Sequence, residues 1–317
     1  MTVVVPTLNR WPVLSRAALP AVLGQEDVDV ELIVVDDGSR DGTAERLAAL
    51  SDPRVRVIRH DEPRGVAVAR NAGIAAARGE WVSFLDDDDL WSPRKLREQL
   101  DAAAAADATF VYASGAAVDG AHKFLFNVAA PDPVSITQQL LQWNVIWCGC
   151  SNVAARTDVV RRLGGFDEDL AQLADWDLWI RLALDGRAAS CSEVLVAYTM
   201  HDENMLLTEP RDVSPEFERL VDKHSAAAAS HGTELDHARF ARWVAMGHRR
   251  AGRRRQAAAV YLAAAVRHRD VGAALRAAGA GLGEPALALA SRLVPSDRRS
   301  RLRKLAAPEP GWLAAYR

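Results

Sequence analysis

The segment Trp81–Asp89 (WVSFLDDDD) joins a short, mainly apolar run to four consecutive aspartates. An apolar run of this length, with aromatic and β-branched residues, predicts a buried strand, here over Glu80–Asp86. In an open α/β sheet ligands bind beyond the carboxyl ends of the strands, so the aspartates lie where a ligand site is expected. This one segment therefore predicts a sheet and the edge of that sheet at which chemistry takes place.

Short β-rich runs alternate with helical segments through the first two hundred residues, which is the pattern of an α/β fold with a mainly parallel sheet. The expected strands are Met1–Pro6, Glu31–Asp36, Arg54–Arg59, Glu80–Asp86, Thr109–Ala113 and Glu193–Thr199. The expected helices are Trp11–Leu23, Thr43–Leu50, Val66–Arg78, Pro93–Ala106 and Asp175–Asp185. Ser92 is the expected N-cap of the fourth helix, with Pro93 in its first turn.

The composition changes at about residue 214, where β-branched runs give way to Ala- and Arg-rich helical sequence. The segment Arg242–Lys304 holds 15 basic residues against 3 acidic ones. We therefore expect an α/β domain over residues 1–213 and a helical C-terminal region over 214–317. The basic helices could contact an anionic membrane surface, form a homodimer or be ordinary solvated faces. Nucleic-acid binding is not expected, since no recognised binding module accompanies the charge.

The overall composition is that of a soluble globular protein, with 49% hydrophobic residues, 26% charged residues and a net charge of −3. No stretch approaches the ~18 uncharged apolar residues that a membrane span needs. The N-terminus lacks the basic region and cleavage site of a signal peptide. Three cysteines are too few for a disulfide framework and lack CxxC spacing. These features predict a cytoplasmic protein, with peripheral contact to the inner membrane face as an option.

The four aspartates Asp86–Asp89 repel one another, and each would be partly protonated unless a cation were present. Mg²⁺ or Mn²⁺ resolves this conflict, because such hard cations take one or two carboxylates together with substrate phosphates. The alternative is a solvated cluster at a helix start, where acidic residues suit the helix dipole. Four aspartates exceed what capping needs, so the sequence favours a metal site.

Four motifs, in order along the chain, resemble those of family 2 glycosyltransferases. They are VVVPTLNR (Val3–Arg10), ELIVVDDGSRDGT (Glu31–Thr43), GVAVARNAGI (Gly65–Ile74) and GEWVSFLDDDD (Gly79–Asp89). The resemblance runs from Met1 to about Asn204 and leaves out the C-terminal third. It implies a Rossmann-like GT-A fold, a nucleotide-diphosphate sugar donor, a divalent metal (Mn²⁺ or Mg²⁺) and mostly inverting transfer. It also implies a nucleotide-sugar-binding half over about 1–110 and an acceptor-binding half over about 111–213.

The resemblance assigns roles to residues at the strand ends. Those that would contact the nucleotide sugar are Pro6, Thr7 and Asn9 in the nucleotide pocket, Asp37 on the base, Arg70 at the diphosphate and Asp86 near the ribose. Asp86 and Asp88 match the family's Asp-x-Asp motif, and Asp88 would hold the metal. His201, just after the last expected strand, is either a further metal or phosphate contact or a surface histidine. Arg70 could equally be a solvated helix arginine.

The resemblance also points to a general base at the start of the helix Asp175–Asp185. Asp175 matches the aspartate of the family's Glu-Asp-x-x-Leu motif, although Ala174 replaces the usual preceding acid. Asp177 competes for the role but points about 200° away on an α-helix, so only one of the two can face the site. Trp147 and Trp176 are candidates for the acceptor side, since aromatic faces suit sugars and apolar groups, but tryptophan is equally a core residue.

These features together predict a metal-dependent, inverting glycosyltransferase that uses a UDP-sugar in preference to other donors. The acceptor is open and could be a glycan, a lipid-linked sugar, a small molecule or a peptide. A sugar-nucleotide pyrophosphorylase would be expected to open with a Gly-rich loop containing Arg and Lys, which Pro6–Arg10 does not supply. A catalytically degenerate GT-A domain acting as a scaffold through its helical tail is the other alternative.

Overall fold

The computed structural model describes residues 1–201, 212–268, 271–282 and 304–317. The described chain divides into two compact units. Unit 1 holds residues 1–140, 144–200 and 304–317, and unit 2 holds residues 141–143 and the described residues between 201 and 282. Much of the predicted basic tail, residues 283–303, lies outside the described residues.

Unit 1 is built on one sheet, which has ten strands within the described residues. In chain order they are β1 Thr2–Thr7, β2 Glu31–Asp36, β3 Val55–Arg59, β4 Trp81–Phe84, β5 Leu90–Trp91, β6 Phe110–Asp119, β7 Phe124–Val128, β8 Ala154–Arg156, β9 Ala188–Met200 and β10 Lys304–Leu305. The main path runs β10-β7-β6-β8-β4-β1-β2-β3, and β9 pairs with both β6 and β5.

The two halves of this sheet differ in strand direction. β4, β1, β2 and β3 are parallel, with Val4 of β1 opposite Ile33 of β2 and Phe84 of β4. The other half is mixed, because β6 is parallel to β9 but antiparallel to β7 and β8. The expected GT-A, Rossmann-like arrangement is confirmed, and its parallel part is the half that the four motifs supply.

Eight helices of unit 1 flank the sheet within the described residues. They are α1 Trp11–Arg16, α2 Ala18–Leu23, α3 Thr43–Ala48, α4 Val66–Ala76, α5 Lys95–Ala106, α6 Ile136–Leu140, α7 Thr157–Arg162 and α8 Ala174–Asp185. α4 lies close against β1 because Gly73 faces Val4. A Cβ on Gly73 would come within 2.3 Å of the Val4 side chain. This close approach fixes the height of α4 over the sheet.

Three sequence predictions about these elements need correction. The expected helix Trp11–Leu23 is two helices, α1 and α2, which are separated at Ala17 (φ −110°, ψ −77°). Ser92 is not the N-cap of α5. The helix begins at Lys95 after an Arg94 cap, and the Ser92 carbonyl accepts from the Lys95 N–H and from the Gln25 side-chain amide in the preceding turn. The short strands β5, β7 and β8 were not predicted.

The end of the chain also differs from the prediction. Residues 304–317, assigned to the helical region, form β10 and a 3-10 helix (Gly311–Tyr316) of unit 1. β10 pairs antiparallel with β7, and the buried Leu313 packs against Leu90 and Ala197. The hydroxyl of Tyr316 donates to the carbonyl of Trp91 at 2.8 Å. The last residues of the chain therefore complete the sheet.

Unit 2 is helical, as the sequence predicts for the region after residue 213. Its helices are α9 Ser214–Ser230, α10 His237–Arg250, α11 Arg254–His268 and α12 Val271–Leu282. Phe217 of α9 stacks on Phe240 of α10 with ring centroids 4.0 Å apart. Asp236 caps α10 by accepting from the Arg239 N–H. In the part of the chain that the structure describes, no helix combines the length and apolar character needed to cross a bilayer.

Lys95 is a fully buried lysine at the start of α5. Its Nζ donates to the Ser83 hydroxyl at 2.7 Å and lies 3.7 Å from the centroid of the Trp91 ring. Burial lowers the pKa of this ammonium well below its ordinary value. The unfolded chain, in contrast, keeps its lysine protonated up to about pH 10.4.

Replacement of Lys95 by methionine is expected to have an effect on stability that depends on pH. Between the lowered native pKa and about 10.4 the unfolded wild type binds the extra proton, so wild-type stability rises with pH. Lys95→Met removes this pH-dependent contribution. The free energy of unfolding of the variant, relative to that of the wild type, should therefore fall as pH rises from 7 to 10. Denaturant unfolding at several pH values measures it. The exposed Lys123→Met is the control, and a difference independent of pH at Lys95 would contradict the expectation.

Candidate active site

The acidic loop Asp86–Asp89 follows β4 at the carboxyl edge of the parallel strands, as predicted. Its four carboxylates do not share one environment. Asp86 is the most exposed of the four, with about a third of its side chain accessible, and Asp89 is fully buried. Each carboxylate has its own set of partners, so the loop is not a plain solvated cluster.

Asp86 pairs with Arg70 of α4. Nη2 of Arg70 lies 2.6 Å from Oδ1 of Asp86, and its guanidinium lies 5.4 Å from the centroid of the Phe166 ring. Arg70 is 7% exposed, which excludes the solvated-helix alternative. Its Nε is buried and has no hydrogen-bond partner among the described residues. A buried donor left over in this way is suited to an anionic ligand oxygen.

Asp87 and Asp88 both contact Arg10, the residue after the Pro-Thr-Leu-Asn motif. Nη1 of Arg10 lies 3.0 Å from Asp87 Oδ1, and Nη2 lies 2.8 Å from Asp88 Oδ2. The Thr7 hydroxyl donates to Asp87 Oδ2 at 2.7 Å. Burial and the neighbouring Asp88 raise the pKa of Asp87 to about 7, against the opposing attraction of Arg10. Thr7 therefore lies where predicted, but in this structure it contacts a carboxylate of the loop.

Asp89 is held by hydrogen bonds from the protein. The Ser151 hydroxyl donates to its Oδ2, and the Thr199 N–H donates to its Oδ1 at 2.9 Å. Burial, reinforced by the negative charges of Asp88 and Asp86, raises the pKa of Asp89 well above its ordinary value. Asp89 thus has a structural role, since it ties the loop to β9 and to the segment that precedes β8.

Asp175 and Asp177 at the start of α8 face different surroundings. Asp175 interacts electrostatically with Arg70 and Asp86, and its Oδ2 accepts from the Asn144 amide at 3.3 Å. Asp177 is fully buried and pairs with Arg181 one turn later at 2.6 Å. Of the two candidates, Asp175 is the one beside Asp86 and Arg70.

The environment of Asp175 changes its acidity. Burial is the largest effect and raises the pKa of this carboxyl to about 6, with a smaller contribution from the negative charge of Asp86. Arg70 and the Trp176 N–H, which donates to Oδ1 at 2.6 Å, act in the opposite direction. A carboxylate with a pKa near the working pH is suited to accept a proton during a reaction.

A tight turn at Cys148 and Gly149 brings backbone against Asp175. Both residues have left-handed geometry, with φ of +65° and +47°. A Cβ on Gly149 would lie 2.9 Å from Oδ2 of Asp175, so only glycine leaves the carboxylate in place. The 3-10 helix Gly149–Asn152 that follows supplies Ser151 to the acidic loop. The sequence shows the small residues here but not their proximity to Asp175.

The predicted nucleotide-binding residues lie around the ends of β1 and β2. Pro6 is buried in β1, and Asn9 follows it in an exposed left-handed turn. Both oxygens of Asp37 accept N–H groups of the loop after β3, from Arg64 and Gly65, and the His60 ring lies 2.7 Å from Oδ1. Asp37 therefore shapes the 60–65 loop in this structure, and its contact with a base stays a prediction.

The acceptor-side tryptophans separate in the structure. Trp147 is half-buried, and its indole N–H donates to the Ala116 carbonyl at 3.1 Å. Trp176 is 1% exposed and donates to the Leu140 carbonyl at 2.7 Å, so it has no surface to offer an acceptor. The prediction for Trp176 is corrected on that ground. His201 belongs to unit 2, and its role at a metal stays a prediction.

The acidic loop is the place where a divalent cation is expected. Among the described residues, no group of three or more His, Cys, Asp or Glu side chains is arranged to hold a metal ion. Mg²⁺ and Mn²⁺ sites that include substrate phosphates need only one or two carboxylates from the protein. The guanidinium of Arg10 on Asp87 and Asp88 shows that this part of the loop accepts a cation. The donor set therefore fits a metal that the substrate helps to bind.

Sequence comparison places this chain among known enzymes. The family model "Glycosyl transferase family 2" matches residues 2–164. WfgD of Escherichia coli, a UDP-Glc:alpha-D-GlcNAc-diphosphoundecaprenol beta-1,3-glucosyltransferase, is 24% identical over 224 residues, which is 70% of this chain and 85% of that protein. Two other curated relatives are covered over only 31% and 66% of their own length.

Structure comparison gives the same fold. Staphylococcus aureus TarS 1-349 in complex with UDP-GlcNAc is similar to this chain with a TM-score of 0.58 at 20% identity, over 78% of this chain and 72% of that one. The mannosyltransferase PcManGT of Pyrobaculum calidifontis, in complex with GDP-Man and Mn²⁺, has a TM-score of 0.53 at 23% identity, over 92% and 82%.

The two aspartates of α8 are expected to respond in opposite ways to replacement by asparagine. Asp177→Asn breaks a buried ion pair with Arg181 and should lower the free energy of unfolding by about 3–5 kcal/mol. Asp175→Asn removes a charge that burial disfavours, so the stability at pH 7 should stay equal or rise slightly. Denaturant unfolding of both variants checks this. A loss of similar size in both would show that the two carboxylates are equally structural.

Proposed function

The chain belongs to the family 2 glycosyltransferases, and we propose that it transfers a sugar from a nucleoside-diphosphate sugar to an acceptor hydroxyl with inversion at the anomeric carbon. A divalent metal and Asp175 as general base complete the proposal. Residues 1–213 would form the catalytic domain, with the last described residues of the chain added to its sheet. The observation that carries the proposal is the interaction of Arg70 with both Asp86 and Asp175.

These interactions of Arg70 would connect the part of the site that binds the donor to Asp175. Arg70 pairs with Asp86 at 2.6 Å and also interacts electrostatically with Asp175. An arginine with a spare buried Nε suits a diphosphate oxygen, because guanidinium groups bind phosphate through several N–H donors. A diphosphate bound to Arg70 would then lie near both the acidic loop and Asp175.

Asp175 would remove the proton of the acceptor hydroxyl as the new C–O bond forms. With a pKa raised to about 6 it is mostly ionised at neutral pH, yet more basic than an ordinary aspartate. One base acting on one attacking hydroxyl gives a single displacement and therefore inversion. Asp177 is not available for this step, since Arg181 and burial hold it inside α8.

The donor and its metal are proposed from the strand ends. Pro6, Thr7, Asn9 and Asp37 would surround the nucleotide, and Asp88 with Asp86 would hold Mn²⁺ or Mg²⁺. The cation would stabilise the negative charge that develops on the departing diphosphate. UDP is the favoured nucleotide, supported by the UDP-Glc of WfgD and the UDP-GlcNAc of TarS, whereas PcManGT binds GDP-Man.

Nucleotide titration tests the donor and the metal together. Calorimetric titration of UDP, GDP, TDP and CDP with and without Mn²⁺ is expected to find one nucleotide that binds only with the metal. Asp88→Ala should weaken that binding by at least about tenfold, since even indirect support of a metal is worth that much. Arg78→Ala, an exposed change at the other end of α4, is the control. The absence of binding by any nucleotide under either condition would favour the scaffold alternative.

The pH dependence tests the base. Hydrolysis of the donor sugar, followed by release of the nucleoside diphosphate, should proceed at a constant rate above about pH 7. It should fall about tenfold for each pH unit below about 6, because protonated Asp175 cannot accept a proton. Asp175→Asn should lower the rate by about 100-fold or more and should abolish the fall in rate below about pH 6. Asp87→Asn should keep the fall in rate below about pH 6. If this fall is absent in that variant, the titrating group is Asp87.

A further inference from the structure

Arg10 links its guanidinium to two neighbouring carboxylates of the acidic loop. Its two terminal nitrogens lie 3.0 Å from Asp87 and 2.8 Å from Asp88. These aspartates are 5% and 9% exposed, so the contact is mostly out of water. An ion pair in such a place interacts more strongly than one on the surface, and losing one partner leaves buried charge uncompensated. In this structure Arg10 therefore neutralises part of the loop.

The backbone that presents Arg10 is fixed from the other side of the site. Asn9 has a φ of +55°, a left-handed geometry that asparagine tolerates. Its N–H donates to the Ser39 hydroxyl at 2.8 Å, and its Oδ1 accepts from the Arg40 N–H at 2.7 Å. The loop after β2 thus anchors the turn, and Arg10 reaches the carboxylates from a defined position.

This contact conflicts with the role proposed for Asp88. A divalent metal on the Asp88 carboxylate would stand within a few ångströms of the guanidinium, and two cations at that distance repel each other. Either the metal binds weakly or Arg10 leaves. A guanidinium that leaves these carboxylates needs another anion. The diphosphate of a nucleotide sugar is such an anion, and its oxygens match the donor geometry of arginine.

We propose that Arg10 is an exchangeable counter-cation of the site. It neutralises Asp87 and Asp88 while no nucleotide is bound, competes with the metal for Asp88, and passes to the diphosphate when the donor arrives with the metal. The inference rests on the proposed function, because it requires a metal and a nucleoside diphosphate at this loop. Its consequence is that metal and nucleotide each bind better in the presence of the other.

The test separates metal binding from nucleotide binding in Arg10→Gln. Titration with MnCl₂ alone is expected to show about tenfold tighter binding than in wild type, about 1.4 kcal/mol, because the competing charge is gone. At saturating Mn²⁺, the nucleoside diphosphate that binds the wild type should bind about tenfold more weakly. Arg16→Gln, an exposed arginine at the end of α1, is the matched control and should follow the wild type in both titrations.

The opposite signs of these two changes decide the inference. A purely structural arginine would weaken both titrations, and Mn²⁺ affinity that is unchanged or weaker in Arg10→Gln overturns the proposal. If that variant does not fold, Arg10→Lys replaces it, since lysine lacks the planar fork by which two guanidinium nitrogens each contact one carboxylate. A smaller gain in Mn²⁺ affinity then supports the proposal and no gain overturns it. The wild-type nucleotide titration tests the proposed function separately, because it does not depend on the variants.

Discussion

The neutralisation of four adjacent carboxylates at the end of β4 is the constraint on which the site depends. Removing one ion from water costs several kcal/mol even after relaxation, so each of the four adjacent aspartates needs a partner that compensates its burial. Arg70 compensates Asp86, Arg10 compensates Asp87 and Asp88, and Asp89 accepts hydrogen bonds from Ser151 and Thr199. The loop and its partners consequently carry less net negative charge than four isolated aspartates would. The aspartates that pair with a cation lie beside Arg70 and Arg10.

The turn that lies against Asp175 also supports the acidic loop. Ser151 donates to Asp89 and accepts from the Asp86 N–H, while its own carbonyl accepts from the indole of Trp91. Gly149, at the start of the same 3-10 helix, lies against Asp175. A single short helix therefore fixes the distance between the acidic loop and Asp175. Rigid support of this kind keeps a catalytic constellation within the small tolerance that chemistry requires.

The sequence predicts the parallel half of the sheet well, because β1, β2 and β4 are mainly apolar runs that end in polar motifs. β5, β7 and β8 escape prediction, since two to five residues in antiparallel pairing leave almost no pattern. The choice between Asp175 and Asp177 was partly readable, because Arg181 stands four residues after Asp177 and such pairs meet on a helix. The contact of Arg10 with the acidic loop could not be predicted from the sequence, since nearly eighty residues separate the partners.

Arg70 gives the proposed reaction an order. In the structure its positive charge holds the pKa of Asp175 below the value that burial and Asp86 alone would set. Under the proposed function, a diphosphate bound to Arg70 would oppose that charge and so weaken its effect on Asp175. The base would then be strongest when the donor is in place, and least able to take a proton when the site is empty. A site built in this way favours activation of the acceptor after the donor has bound, since the two sides share one arginine.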